Sequence, residues 1–195
     1  QFLYPGAFDA FTHALEGFVS VIENSFLDNN VFDSIKVLLS IFSDLKNDKQ
    51  SIKTVENLCY VSYHAGIIQN HCSVGITHSF AHQLSSFGVS HGVANALFLS
   101  SVIEFNKHHT NKYDILVNSI GIESIEYLVT FLDETLLKSD AIPSEDTIML
   151  IVENKNAIIN GAMEDVTFRT NPTLPSLDDM SKIFDRAIEK INFGK

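Results

Sequence analysis

Apolar side chains recur every three or four residues along most of this chain, which is the period of an α-helix packed on one face. In the first such segment they are Phe8, Phe11, Leu15, Phe18 and Val19. This helix is predicted to begin after a turn at Pro5-Gly6. The strict alternation that marks a half-buried strand is essentially absent. The pattern therefore predicts an all-α fold, a multi-helix bundle, as a single domain over residues 1–195.

Further helices follow from the same periodicity and from cap residues. Asn29 and Asn30 are predicted N-caps of the second helix, and Gly75 is predicted to separate the third helix from the segment around His78. Residues 167–175 are predicted to form an ordered loop. Pro143 and Pro175 precede Ser and acidic residues, a pattern typical of helix starts. The predicted helices after the first cover residues 31–45, 52–71, 92–105, 113–119, 124–138, 144–160 and 177–191.

Charge and cysteine content exclude several classes of protein. The net charge of −11 argues against a nucleic-acid-binding surface, which needs clustered Lys and Arg. No apolar run approaches the ~18 residues of a membrane span, and no secretory leader is evident. Cys59 and Cys72 are predicted to be buried free thiols, which fits a reducing cytoplasm.

The chain begins at Gln1, which suggests a processed product, an excised domain or a fragment.

Two groups of Asp and His residues carry the chemistry. Asp9 and His13 lie four residues apart, so a helix places both on one face. His78 and His82 repeat that spacing, and His91 follows after a short break. Apolar flanking residues predict that these three imidazoles face an interior cavity, where a shared metal would satisfy their nitrogens. One carboxylate with several imidazoles suits Fe²⁺ or Zn²⁺.

Each feature also has a purely structural interpretation. Asp9 with His13 alone is more often a first-turn acid and a hydrogen-bonded imidazole at the edge of the core. His64 and His71 either line the same cavity or pack in the core. The pair His108-His109 is predicted to be a solvated turn.

Two sequence runs resemble the signatures found in the C-terminal helical domain of the iron-containing (group III) alcohol dehydrogenases. The runs are Gly6-Ala-Phe-Asp9-Ala-Phe-Thr-His13-Ala-Leu-Glu-Gly17 and His91-Gly92-Val93-Ala94-Asn95-Ala96. Between and after them, the resemblance continues at Ala65-Gly66, Asn70, Gly75, His78-x3-His82, Asp165 and Thr170-Asn171-Pro172. It implies a fold like the C-terminal domain of dehydroquinate synthase.

The resemblance also implies residue roles. Asp9, His13, His78 and His91 would be the metal ligands, and His82 would stand near the metal and the nicotinamide as a proton relay or positioning group. The interval from His82 to His91 is one residue shorter than the common family form. Gln83 and Ser90 replace the usual prolines, and Ser85 and Ser86 replace glycines of the intervening loop.

The implied reaction is reversible hydride transfer between a primary alcohol or its aldehyde and NAD(P)H, with the metal polarising the substrate oxygen. No Gly-rich phosphate loop on a strand–helix unit occurs in this sequence, so the N-terminal dinucleotide-binding domain is expected to be absent and this chain alone to turn over poorly. A homodimer is a further possibility. The alternatives are a glycerol dehydrogenase-like polyol oxidoreductase, or a noncatalytic helical remnant with packed histidines. An HD-type phosphohydrolase is disfavoured because no His here is followed by Asp.

Overall fold

The computed structural model describes residues 3–139 and 142–192, and within those ranges the chain is helical without a β-strand. The all-α multi-helix prediction is therefore confirmed. Short 3-10 helices at Ser25–Leu27, Ser85–Phe87 and Val166–Thr170 join some of the α-helices. The α-helices are α1 Leu3–Val19, α2 Asp28–Lys46, α3 Ile52–Cys72, α4 Ile76–Leu84, α5 His91–Asn106, α6 Lys112–Ile120, α7 Ile125–Lys138, α8 Glu145–Glu153, α9 Lys155–Glu164 and α10 Leu177–Asn192.

Helix α5 lies at the centre and packs against α1, α4, α7 and α10. It is apolar nearly all round, with side chains such as Leu97, Phe98 and Val102 buried, as expected for a helix enclosed by others. Its approach to α1 is especially close at Gly92. A Cβ atom there would lie 2.1 Å from the carbonyl oxygen of Pro5. The absence of a side chain at Gly92 therefore fixes how closely the two helices pack.

Aromatic contacts hold the core on both sides of α5. Phe80 of α4 stacks on Phe98 of α5 with ring centroids 4.3 Å apart, and Phe184 of α10 lies 5.9 Å from Phe98. On the other side, Phe8 of α1 lies 4.7 Å from Phe42 of α2. Helix α4 has only nine residues, too few for a stable isolated helix. Its place depends on packing against α5 and α9.

Several helix boundaries differ from the sequence prediction. Helix α1 begins at Leu3, so Pro5 and Gly6 lie in its first turn, where a missing N–H costs nothing. Helix α2 begins at Asp28 rather than after the predicted caps Asn29 and Asn30, which lie inside it. The predicted loop 167–175 begins instead as the 3-10 helix Val166–Thr170.

The predicted helix 144–160 is two helices in the structure. Asn154 ends α8 and begins α9, and its side-chain Nδ2 donates to the carbonyl oxygen of Leu150. Asn side chains compete in this way with backbone hydrogen bonds, and apolar spacing does not reveal the competition. The predicted start of α8 is confirmed, since Ser144 accepts a hydrogen bond from the backbone N–H of Thr147.

The thiol prediction is half right. Both cysteines are free, but Cys59 is exposed and only Cys72 is buried.

In the described ranges no single helix has the length and apolar content to cross a membrane. The α6–α7 pair meets those criteria jointly, with a bend of 77° between its helices.

Candidate metal centre

Helix α1 positions the first two groups. Asp9 and His13 stack one turn apart, and the His13 Nδ1–H donates to the Asp9 backbone carbonyl at 2.8 Å. That hydrogen bond leaves the Nε2 lone pair of His13 available to a ligand. The predicted helical geometry of this pair is therefore present.

Helices α4 and α5 bring the other groups to the same point. His78 lies in the first turn of α4, which begins after Gly75, and His91 is the first residue of α5. The Nε2 atom of His91 lies 3.4 Å from Asp9 Oδ1, and that of His78 lies 4.0 Å from it. We call these four residues the ligand cluster: Asp9, His13, His78 and His91. Each offers one ligand atom, and all four atoms lie within 4.8 Å of one another.

The ligand cluster fits a divalent transition metal. Ligand atoms about 2.1 Å from a tetrahedral ion are about 3.4 Å apart, close to the separations found around Asp9. Burial lowers the pKa values of His13 and His91, so the neutral imidazoles that metals bind are favoured. A carboxylate and three imidazoles are suitable donors for Fe²⁺ or Zn²⁺.

The connection between α4 and α5 brings His91 to the cluster. The 3-10 helix Ser85–Phe87 follows α4 directly, with Ser85 and Ser86 donating to the carbonyls of His82 and Gln83. Gly88 then turns the chain with φ +75°, a conformation that favours glycine. This compact turn places His91 at the start of α5, beside the other three residues of the cluster.

His82 lies at the edge of the cluster. Its ring stacks on that of His91 with centroids 5.5 Å apart, and its Nδ1–H donates to Asp165 Oδ2 at 2.8 Å. Burial raises the pKa of the Asp165 carboxyl, but hydrogen bonds from Thr167 and His82 outweigh it, and the net pKa lies below the ordinary value. Asp165 therefore holds His82 in one orientation.

The cluster opens to the surface, which corrects the prediction of an interior cavity. His78 is buried, but the side chains of His82 and His91 are each 41% exposed and that of Asp9 is 34% exposed. The apolar residues beside His82, such as Ala81 and Leu84, face the core from the other side of α4. Sequence neighbours on a helix point in different directions, so apolar flanks do not establish burial.

The other histidines lie outside the cluster. His64 is half-buried against Tyr60 and Tyr63 on α3, and His71 is exposed. Neither lines a shared cavity. His108 and His109 are exposed in the turn after α5, as predicted.

Two residues that contact the cluster stand in the signature runs, but sequence reasoning gave them no role. The carboxylate of Glu16, on α1, is buried beside the His78 ring and accepts its Nδ1–H at 2.7 Å. The amide of Asn95, on α5, is also buried and donates to Asp9 Oδ1 at 2.7 Å. A polar side chain within an apolar helical stripe was the available signal for both.

The Thr170-Asn171-Pro172 segment links α5 to the chain just before α4, the two helices that carry His91 and His78. Asn171 and Asn106 exchange two side-chain hydrogen bonds of 2.7 and 3.0 Å, which tie this segment to the end of α5. Thr170 donates to the carbonyl of Val74, just before α4. A Cβ at Gly75 would lie 2.9 Å from both Asn171 and Glu16, so glycine is required for this close packing.

Comparison with known proteins identifies the family of this chain. The family model described as the Fe-containing alcohol dehydrogenase family, C-terminal, matches residues 5–188. "Alcohol dehydrogenase 4" of Schizosaccharomyces pombe is 26% identical over 186 residues, 92% of this chain and 44% of that protein. The "NADPH-dependent butanol dehydrogenase" of Clostridium saccharobutylicum is 29% identical over 195 residues, 91% of this chain and 48% of the relative.

A solved structure shows the same fold. The iron-containing alcohol dehydrogenase of Thermococcus thioreducens superposes with a TM-score of 0.81 at 20% identity, over 96% of this chain and 50% of the other. Helical architecture and family match together identify this chain as a C-terminal domain of the type that the family model describes. The chain belongs to the Fe-containing alcohol dehydrogenase family. It spans about half the length of the curated relatives it matches.

Proposed function

We propose that this chain is the metal-binding domain of an NAD(P)-dependent alcohol dehydrogenase or aldehyde reductase. The observation that carries the proposal is the convergence of Asp9, His13, His78 and His91 from three helices, with all four ligand atoms within 4.8 Å. A noncatalytic helical remnant with packed histidines gives no reason for that convergence. Fe²⁺ is the expected ion from the family, and Zn²⁺ suits the same donors.

A divalent ion held there supplies Lewis acidity to the oxygen of an alcohol or aldehyde. The protein's own contribution begins with orientation. Asp9 and His13 are fixed on α1, and the His13 ring is held by the Asp9 carbonyl at 2.8 Å. The exposed side of the cluster, at His82 and His91, is where substrate would enter.

His82 is the proposed proton-transfer group. Its Nδ1–H donates to Asp165, so Nε2 carries the lone pair that can accept a proton. In alcohol oxidation a bound nicotinamide would supply the hydride acceptor, and His82 Nε2 would accept the proton of the substrate hydroxyl. Partial exposure of His82 lets the proton pass on to solvent.

The dinucleotide is proposed to be bound by a second domain. The chain spans about half of relatives that include an NADPH-dependent enzyme, and the described helices contain no strand–Gly-rich–helix unit. The butanol dehydrogenase among the relatives favours a short primary alcohol as substrate.

Bound metal per chain tests the proposal. The purified chain would be loaded anaerobically with Fe²⁺ or Zn²⁺, desalted and assayed by elemental analysis. We expect about one equivalent. His78→Ala should lose it, whereas His71→Ala, which removes an exposed histidine outside the cluster, should retain it. Absence of retained metal in the wild-type chain, or equal retention by His78→Ala, would contradict the proposal.

A further inference from the structure

Glu16 carries a buried carboxylate that accepts several hydrogen bonds from one short segment. Its Oε1 accepts from the Thr77 backbone N–H, and its Oε2 from the Gly75 backbone N–H and from His78 Nδ1, each at 2.7 Å. Glu16 is only 2% exposed. A buried carboxylate is costly unless it is hydrogen-bonded, and here the start of α4 supplies the donors. The contact joins α1 to α4 directly beneath the ligand cluster.

The surroundings of His78 specify one tautomer from both sides of its ring. A carboxylate can only accept, so the proton of the neutral ring lies on Nδ1, towards Glu16. On the opposite side, Asn95 Nδ2 lies 3.3 Å from His78 Nε2. An amide NH₂ can only donate, so Nε2 holds the lone pair.

The orientation of the Asn95 amide is itself fixed independently. Its Nδ2 donates to Asp9 Oδ1 at 2.7 Å, and a flipped amide would place two oxygens against each other. The two helices α1 and α5 therefore impose the same tautomer on His78. His78 Nε2 also lies 4.0 Å from Asp9 Oδ1, a residue of the ligand cluster.

We infer that Glu16 is a positioning residue for the metal centre: it fixes His78 as the Nδ1–H tautomer and presents Nε2 as the ligand. A carboxylate that accepts the second N–H of a ligating imidazole holds the ring and strengthens its donor nitrogen. In other metalloproteins, loss of such a partner weakens metal binding about 10- to 100-fold. The inference rests on the metal site proposed above and adds a residue that determines its affinity.

Glu16 also holds the start of α4, so a purely structural role has to be separated from positioning. Glu16→Gln replaces one carboxylate oxygen with an NH₂ group, so either Thr77 or the pair Gly75 and His78 loses its acceptor. Ser79→Ala is the matched control. It removes buried hydrogen bonds of α4 to Gly75 and Thr167 without contacting the His78 ring.

The first measurement needs no variant of Glu16. The ¹⁵N shifts of the imidazoles, with the His78 signals assigned by their loss in His78→Ala, report which nitrogen carries the proton. We expect His78 Nδ1 to be protonated and Nε2 to be of the lone-pair type. A protonated Nε2 in the metal-free wild-type chain would overturn the inference even if the chain binds metal.

The second measurement is Zn²⁺ affinity by competition with a chelator. We expect Glu16→Gln to bind about 10- to 100-fold more weakly and Ser79→Ala to bind as the wild type does. Equal affinity of folded Glu16→Gln and wild type would overturn the inference and leave the proposed function intact. Failure of the wild type itself to bind Zn²⁺ or Fe²⁺ would refute the proposed function, and the ¹⁵N shifts would still decide the tautomer.

Discussion

The contact between α1 and α5 at Gly92 makes the sharpest stability prediction. In Gly92→Ala the new Cβ would lie 2.1 Å from the Pro5 carbonyl oxygen and 2.6 Å from its carbon. Both partners are backbone, so no side-chain rotation relieves the overlap. The two helices must separate by about 1 Å, because real Cβ atoms keep at least 3.0 Å from such an oxygen.

The magnitude follows from two opposing effects. Overpacking of this kind costs about 3 kcal/mol when neither side can yield, and replacing a helical glycine with alanine gains about 1 kcal/mol. A net loss of about 2 kcal/mol lowers Tm by about 4–8 °C in a chain of this size. Gly66→Ala is the matched control, because Gly66 is also inside a helix but a Cβ there meets nothing within 4 Å. It should gain up to about 1 kcal/mol.

Urea unfolding of both variants beside the wild type measures the difference, and Zn²⁺ competition measures its effect on the centre. Separation of α1 from α5 lengthens the Asn95–Asp9 hydrogen bond and the distance between Asp9 Oδ1 and His91 Nε2. Gly92→Ala should therefore also bind metal about tenfold more weakly. The reasoning is refuted if Gly92→Ala is as stable as the wild type, or if Gly66→Ala loses as much stability.

Three further predictions concern other parts of the fold. The pKa of Asp165 lies below its ordinary value, so its stabilising effect is present above pH about 4 and lost as pH falls through the folded value. Asp165→Asn should therefore lower Tm at pH 6 and differ little from the wild type at pH 2; an equal difference at both values would contradict this. Asp133→Asn should lower the free energy of unfolding, measured in urea, by about 1–3 kcal/mol, because the Lys190 ammonium loses its carboxylate partner. Burial lowers the pKa of Lys190, so its unpaired charge is unfavourable, and adding Lys190→Met should restore most of the lost stability. Ser144→Ala should cost about 1 kcal/mol through loss of the α8 N-cap, and an unchanged urea midpoint would argue that α8 contributes little to the cooperative fold.

Helical periodicity predicted most of the architecture because burial on one face imposes a strict spacing. The helix at 52–71 and the helix at 177–191 end within a residue of α3 and α10. The break at Asn154 was missed because it depends on one side-chain hydrogen bond rather than on apolar spacing. The start of α1 was misplaced because Pro5 is compatible with a first turn as well as with a preceding turn.

The residues of the candidate site were proposed from the sequence, but their exposure was predicted wrongly. Helical spacing placed Asp9 and His13 on one face, and the clustered histidines suggested a shared metal. The family resemblance then implied which four residues would be the ligands. Distances between helices come from packing at positions such as Gly92, which no local pattern encodes. For the same reason the sequence did not reveal that His82 and His91 are exposed, nor that Glu16 lies against His78.

The hydrogen bonds around the centre join parts of the chain that are far apart in sequence. Asp9 and Asn95 are 86 residues apart, and Glu16 and His78 are 62 apart. Helical proteins usually fold fast through local contacts, but these contacts can form only after the intervening helices are placed, and α4 is too short to form first. We therefore expect the centre to assemble late in folding. An ion bound there would then slow unfolding rather than accelerate folding.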